Sequence, residues 1–302
     1  MPDSNKNVVT SVSSRSVQVH VEGLGEVRCT LRGTLWDEDS EESRPVAVGD
    51  HVEVTVEGEA GVIESVGPRA NRLVRPQTRD KQKRKQVIAA NIDRLIVVAS
   101  LSDPPFRPGL VDRFLVAADM EGIPPVLALN KVDLGIGDER TVVQPYRDFG
   151  YEVIETSCES GEGIDALSER MHEGISLLVG HSGVGKSSLL NAVSPGLKLA
   201  TGEVAGHHGR GRHTTTKVTL LPLTGGGWVV DSPGIREFAL AEVGPPELAR
   251  LYPGFSDLPN ACKFSDCRHQ NEPKCAVIAA VESGALAVER YDAYLRVLTD
   301  LG

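Results

Sequence analysis

One eight-residue run constrains this chain more than any other: Gly180-His-Ser-Gly-Val-Gly-Lys-Ser187. It follows the apolar stretch ISLLV and precedes SSLLNAV, so the G-x-x-x-x-G-K-S spacing falls at a strand-to-helix turn. That context predicts a loop that wraps phosphates. Glycines let the backbone come close, and exposed N–H groups at a helix N-terminus meet negative charge. The expected contacts are Gly180, His181, Ser182, Gly183, Val184 and Gly185 along the loop, with Lys186 supplying an ammonium. Ser187 would hold Mg²⁺ through its hydroxyl, with Ser188 beside it.

The surrounding pattern predicts the sheet that carries such a loop. From Ile92 to about Phe238, apolar runs such as RLIVVASL and PPVLALN alternate with helical segments such as LVDRFLVAADMEG. This is the pattern of a mostly parallel α/β sheet covered by helices. Asn130-Lys131-Val132-Asp133 closes one of these strands. A carboxylate at Asp133 accepts both the N1–H and the exocyclic amine of guanine, which adenine does not present, while Asn130 can reach the base edge and tether the loops. Thr156, Ser157 and Cys158 would complete the base pocket through backbone contacts. Asp231, at the end of GGWVVD, is placed to reach the metal through water, and the N–H of Gly234 to meet a γ-phosphate. Thr214 or Thr215 can donate a second Mg²⁺ ligand.

These elements are those of a GTPase, but the base motif at 130 and base loop at 156 precede the phosphate loop at 180 and the D-x-P-G at 231. The order resembles that of a circularly permuted GTPase, in which the chain ends move while the same strands close the same site. In GTPases of the Ras type a Gln after D-x-x-G orients the attacking water. Ile235 stands there and cannot hydrogen-bond, so intrinsic hydrolysis should be slow unless another residue supplies the function. His213, in the glycine-rich segment GEVAGHHGRGRHTTTKV, is the water-orienting candidate, with His207 and His208 as alternatives.

The flanks differ in composition. Residues 1–14, rich in Ser and Asn, are expected to be disordered, and residues 15–75 read as short alternating strands of a small β-barrel. Between Thr34 and Glu64 ten acids face Arg44 alone, which would repel phosphates. Arg69 to Arg94 then carries nine bases against two acids, an electrostatic footprint for RNA or a solvated linker at 76–91. The net charge of −10 excludes a uniformly basic surface that wraps nucleic acid. No apolar run is long enough to cross a bilayer and the polar start has no signal core, so a cytoplasmic location is expected.

Five cysteines are too few for a disulfide scaffold, and three of them crowd into Cys262-x₄-Cys267-x-His269-x₅-Cys275. Three thiolates and one imidazole make a closed tetrahedral site for one structural Zn²⁺. Cys29 and Cys158 read as half-buried bystanders. Residues 241–302 are otherwise helical in pattern, ending in ALAVERYDAYLRVLTD. No heptad or long apolar edge is evident, so a monomer is expected.

The permuted order, the GRGRHTTT segment, the D-S-P-G-I-R run and the Cys/His spacing together resemble the bacterial ribosome small-subunit-dependent GTPase A family, over nearly the whole chain from about residue 15. The resemblance implies a multidomain protein. An all-β oligonucleotide/oligosaccharide-binding (OB) barrel comes first, then an α/β P-loop GTPase domain at 92–240 that is circularly permuted, then a mainly α zinc-binding domain. It further implies binding of GTP and GDP with Mg²⁺, and docking on the rRNA and ribosomal proteins of the small subunit late in its maturation. Hydrolysis would be stimulated by that subunit and linked to release. The competing reading is a nucleotide-gated RNA-binding assembly factor whose hydrolysis is incidental. A third has the phosphate loop serve ATP, or a GTP-dependent metal or transport function.

Overall fold

Runs of β-branched residues broken by glycine turns build the first strands. The computed structural model describes residues 7–13, 16–36, 42–76, 85–135, 138–199, 218–231 and 244–301. Five strands lead: β1 (Val8–Val12), β2 (Val17–Val21), β3 (Gly25–Leu31), β4 (Val52–Glu57) and β5 (Ala60–Val66). A hairpin of β6 (Arg72–Pro76) and β7 (Lys85–Ala90) follows. Next come β8 (Arg94–Ser100), α1 (Pro108–Glu121), β9 (Pro125–Asn130), α2 (Gln144–Asp148), β10 (Glu152–Thr156) and α3 (Ile164–Met171). After these come β11 (Ile175–Val179), α4 (Lys186–Val193), β12 (Thr219–Pro222) and β13 (Trp228–Asp231). Three helices end the chain: α5 (Pro245–Leu251), α6 (Ala276–Glu282) and α7 (Val288–Leu301).

The chain divides into two compact units. One comprises Met1–Arg94, Ser168–Leu178 and Val193–Ile235, and the other Leu95–Leu167, Val179–Ala192 and Arg236–Gly302. In the first unit the alternation VQVHV turns Val17, Val19 and Val21 inward, where they join Val9, Val27, Cys29, Val46, Val52 and Ile63 in one core. β1 pairs with β2 and β2 with β3, all antiparallel; β3 runs parallel to β5, and β5 antiparallel to β4. A bridge between Val8 and His51, with the Val52 N–H donating to the Asn7 carbonyl, ties the last strand of this order to the first. β1 also meets β12 at Ser11–Thr219; β12 pairs with β13, and β13 lies parallel to β11.

Two expectations change here. The span 1–14, expected as a disordered tail, includes β1, because Val8 and Val9 bury their side chains in a valine core that Ser- and Asn-rich composition conceals. The span 76–91, expected as a linker, includes β7, paired with β6 from Pro76–Lys85 to Arg72–Ala90. The basic footprint is also smaller than its count. Arg69 Nε and Nη2 grip both oxygens of the wholly buried Asp50 at 2.6 and 2.8 Å, and Nη1 reaches Glu42 at 2.6 Å. Arg72 binds the other Glu42 oxygen at 2.6 Å. Both arginines therefore answer the chain's own acids. Of the two bystander cysteines, Cys29 is fully buried and Cys158 exposed.

The second unit holds the parallel strands β10, β9 and β8 in that order. α1 starts on Pro108, whose missing N–H costs nothing in a first turn, and stops at Gly122 in the left-handed region, φ +65°. Val116 of α1 shares a core with Leu248, Tyr252, Phe255, Val277, Tyr294, Val297 and Leu298 of the helical C-terminal segment. Among the described residues no helix is long and apolar enough to cross a membrane.

Candidate nucleotide site and metal cluster

The buried strand β11 ends at Val179, and the chain turns at Gly180. Gly180 has φ +144°, and a Cβ there would lie 2.1 Å from the Val98 carbonyl oxygen. Gly185 has φ +97°, and its Cβ would lie 2.3 Å from Asn130 Nδ2. Only glycine fits either position, so the loop's close packing comes directly from its glycines. Lys186 opens α4, and its ammonium donates to the carbonyls of Gly180 and His181, both at 2.8 Å, which holds the charge across the loop. Ser187 and Ser188 follow in the first helical turn, while Ser182 and Gly183 are exposed and Val184 is buried.

Asn130, 2% exposed at the end of β9, joins this loop to the base motif. Its Nδ2 donates to the Val184 carbonyl at 2.8 Å, and its Oδ1 accepts from Thr156 Oγ1 at 3.1 Å. Of the two tasks expected of Asn130, tethering is the one its buried amide performs. Lys131 takes a left-handed backbone, φ +62°, and its ammonium donates to the Asp103 carbonyl at 2.6 Å, 3.8 Å from the Asp103 carboxylate. Asp133, exposed on the turn Val132–Leu134, accepts from Ser157 Oγ at 2.5 Å. Ser157 Oγ accepts in turn from the N–H groups of Glu159 and Ser160, at 3.2 and 3.1 Å. The carboxylate is therefore oriented by the base loop, on the same unit as the phosphate loop.

Asp231 ends β13, where burial pushes its carboxyl above the ordinary range. The pairing of β13 with β11, Leu177 opposite Val230, places it one residue beyond that pair at the C-terminal end of β13. His213, Thr214, Thr215 and Gly234, with His207 and His208, lie outside the described residues.

The donor atoms of Cys262, Cys267, His269 and Cys275 all lie within 4.8 Å of one another. Cys262 Sγ is 3.5 Å and Cys275 Sγ 3.3 Å from His269 Nδ1, and the two sulfurs are 3.9 Å apart. Metal–ligand bonds of about 2.3 Å to sulfur and 2.0 Å to nitrogen give tetrahedral edges of about 3.5–3.8 Å, so the set fits a tetrahedral ion bound through Nδ1. Burial pushes the Cys267 thiol up to about 12 and lowers the His269 imidazole. The Ala276 and Ile278 N–H groups donate to the sulfurs of Cys262 and Cys275, at 3.3 and 3.5 Å. From α7, Tyr291 and Tyr294 donate to the carbonyls of His269 and Arg268, at 2.6 and 3.0 Å, fixing the ligand loop.

Two groups near these sites escaped the sequence reading. The Asp103 carbonyl accepts from Ser100 Oγ as well as from Lys131, so a turn after β8 forms part of the base motif's surroundings. Asp112 of α1 is wholly buried and accepts from Tyr146 and Tyr252 while pairing with Arg290. Its signal was a lone carboxylate amid the apolar LVDRFLV, legible as an anomaly but without a partner in the pattern.

A glycine-built G-x-x-x-x-G-K-S loop tethered to the asparagine of an N-K-x-D motif, with that motif first in the chain, defines a P-loop GTPase of permuted order. Residues 66–241 match the family model described as RsgA GTPase. The small ribosomal subunit biogenesis GTPase RsgA of Chlorobaculum tepidum is 43% identical over 314 residues, covering 100% of this chain and 99% of that one. Its namesake in Haemophilus influenzae is 39% identical over 310 residues, covering 99% and 86%. The crystal structure of YjeQ from Thermotoga maritima aligns with TM-score 0.78 at 36% identity, covering 98% of this chain and 97% of that chain. That of YloQ, described as a circularly permuted GTPase, aligns with TM-score 0.73 at 30% identity, covering 98% and 94%. The chain belongs to the RsgA GTPase family and is a GTP hydrolase of permuted architecture.

Proposed function

We propose that this GTPase acts in small ribosomal subunit biogenesis: it binds the subunit late in maturation, hydrolyses GTP when stimulated by it, and couples hydrolysis to release. The relatives' name supports the process, and the Asn130 tether between base motif and phosphate loop supports the chemistry. Lys186 and the loop N–H groups bind phosphate, Asp133 selects guanine, Asn130 holds the loops in register, and Thr156, Ser157 and Cys158 wall the base. Ser187, Thr214 or Thr215, and Asp231 through water would hold Mg²⁺, which when bound would supply positive charge to offset that developing on the phosphates. Gly234 donates to the γ-phosphate and His213 orients the attacking water.

The strand order β1-β2-β3-β5-β4 supports an OB barrel, expected at 15–75 and here extended to include β1. The basic segment 76–91 leads to the permuted domain 92–240, and the Cys₃His cluster supports one structural Zn²⁺ in a helical domain at 241–302. We assign the chain to the cytoplasm as a monomer that meets rRNA and ribosomal proteins.

Steady-state GTP hydrolysis, alone and with small subunits, large subunits or intact ribosomes, tests this reading. Strong stimulation by small subunits is expected; an unchanged rate would remove the assigned partner. His213→Ala should abolish stimulation while nearly preserving GTP affinity. A second reading rests on Ile235 in the glutamine position: a nucleotide-gated RNA-binding factor whose hydrolysis is incidental. A hydrolysis-dead variant would then still leave the ribosome normally.

A further inference from the structure

The cluster around Asp112 belongs to neither site, yet it connects them within one unit. Asp112 Oδ2 accepts from Tyr252 at 2.6 Å, and Oδ1 accepts from Tyr146 at 2.9 Å and lies 2.8 Å from Arg290 Nη2. Arg290 is 8% exposed, donates from Nε to the Pro253 carbonyl at 2.7 Å, and lies over Tyr252, Phe149 and Tyr146, 4.6 to 5.5 Å from the ring centroids. A buried ion pair is not an economical way to hold helices together, because apolar side chains of similar volume do it as well or better. What it supplies is one fixed geometry.

That geometry ties the metal-bearing helices to the nucleotide loops. Arg290 lies on α7 beside Tyr291 and Tyr294, which hold the His269 loop. Asp112 lies one turn into α1. Just before α1, the segment Leu101–Arg107 carries the Asp103 carbonyl that accepts from Lys131, and Pro104, whose Cδ would be 3.6 Å from a Cβ on Gly183 of the phosphate loop. A shift of α7 therefore moves α1, and α1 carries the turn that holds Lys131 and borders the phosphate loop.

We propose that Asp112 and Arg290 are positioning residues for nucleotide binding: they transmit the placement of the metal-bearing helices, through α1 and the Asp103 turn, to Lys131 and the phosphate loop. This rests on those loops being the nucleotide site. The experiment measures GDP and GTPγS affinity, together with zinc content and denaturant stability, for wild type, Asp112→Asn, Arg290→Met, the double variant, and Arg290→Lys. Leu286→Ala, a buried change in the turn before α7 that leaves both charges of the pair in place, serves as the control for lost stability.

Each single variant should weaken nucleotide binding about five- to tenfold with zinc retained. The double variant, which leaves no charge unpaired, should recover part of that loss, and Arg290→Lys should fall between Arg290→Met and wild type. Leu286→Ala should lose stability without losing affinity. Unchanged affinity in both single variants, or an equal loss in Leu286→Ala, would overturn the proposal. If Asp112→Asn or Arg290→Met fails to fold, Arg290→Lys decides alone: wild-type affinity overturns it, and weakened binding with full zinc supports it. A wild-type protein that binds neither nucleotide would instead overturn the site assignment on which the proposal rests.

Discussion

Asn130 and Val184 are 54 residues apart in sequence and joined by one buried hydrogen bond, Nδ2 to the main-chain carbonyl at 2.8 Å. The bond fixes the distance between the strand we propose for guanine selection and the loop we propose for phosphate binding. Asn130→Ala would orphan that carbonyl and leave Thr156 Oγ1 only its longer bond to the Leu129 carbonyl, 3.5 Å, at a cost of about 1–3 kcal/mol. Urea unfolding should show the loss, and GDP titration should show affinity falling about tenfold. Gly185→Ala should do at least as much harm, since its Cβ would fall on the Asn130 amide.

Asp133 should set base choice. Its carboxylate is already oriented by Ser157, so Asp133→Asn changes the donor and acceptor pattern with little change of shape. Loss of two charge-assisted bonds predicts about 100-fold weaker GDP binding or more, with preference moving toward xanthosine diphosphate. Calorimetric titration of both nucleotides checks this, and unaltered GDP affinity would place the base elsewhere.

Metal binding at the Cys/His cluster should depend on pH in a defined direction. Burial favours the protonated form of the Cys267 and Cys275 thiols, so these two sulfurs must release protons when metal binds. Affinity should therefore rise with pH and fall from about pH 8 to about pH 6, as measured by chelator competition. Cys267→Ser should lose zinc and loosen α5 to α7, whose core includes Cys267 and Cys275.

Arg69→Met should destabilise the N-terminal strands by about 3 kcal/mol, because it leaves the wholly buried Asp50 carboxylate without its guanidinium. Arg69→Met with Asp50→Asn should recover part of this. Equal destabilisation in the single and double variants, followed by urea unfolding, would show that the pair is not the cause.

The nucleotide motifs were legible because their meaning is local: a glycine run, a strand before it and a helix after it lie in one short stretch of sequence. The same holds for the four clustered Cys and His donors, confined to Cys262–Cys275. What stayed hidden depends on pairings between distant segments. Asp112 is a lone acid in an apolar helical run that the sequence reading passed over, and nothing in the pattern names Arg290 at the far end of the chain. Arg69 read as a base available to RNA because Asp50 and Glu42 look like surface acids until the chain folds them together. β1 was lost for the same reason, its five residues too short to announce a strand whose burial comes from β2 and β4.

β1 also gives the chain a clock. Residues 49–52 close the Val8–Val9 end of the strand early, but the partner of Ser11, Thr219, is made about 200 residues later, so at about 5–20 residues per second the Ser11 end stays open for roughly 10–40 seconds of synthesis. An open strand edge is a template for pairing with other chains. A protein of this design is therefore most exposed to mispairing at the Ser11 end of β1 while it is being made.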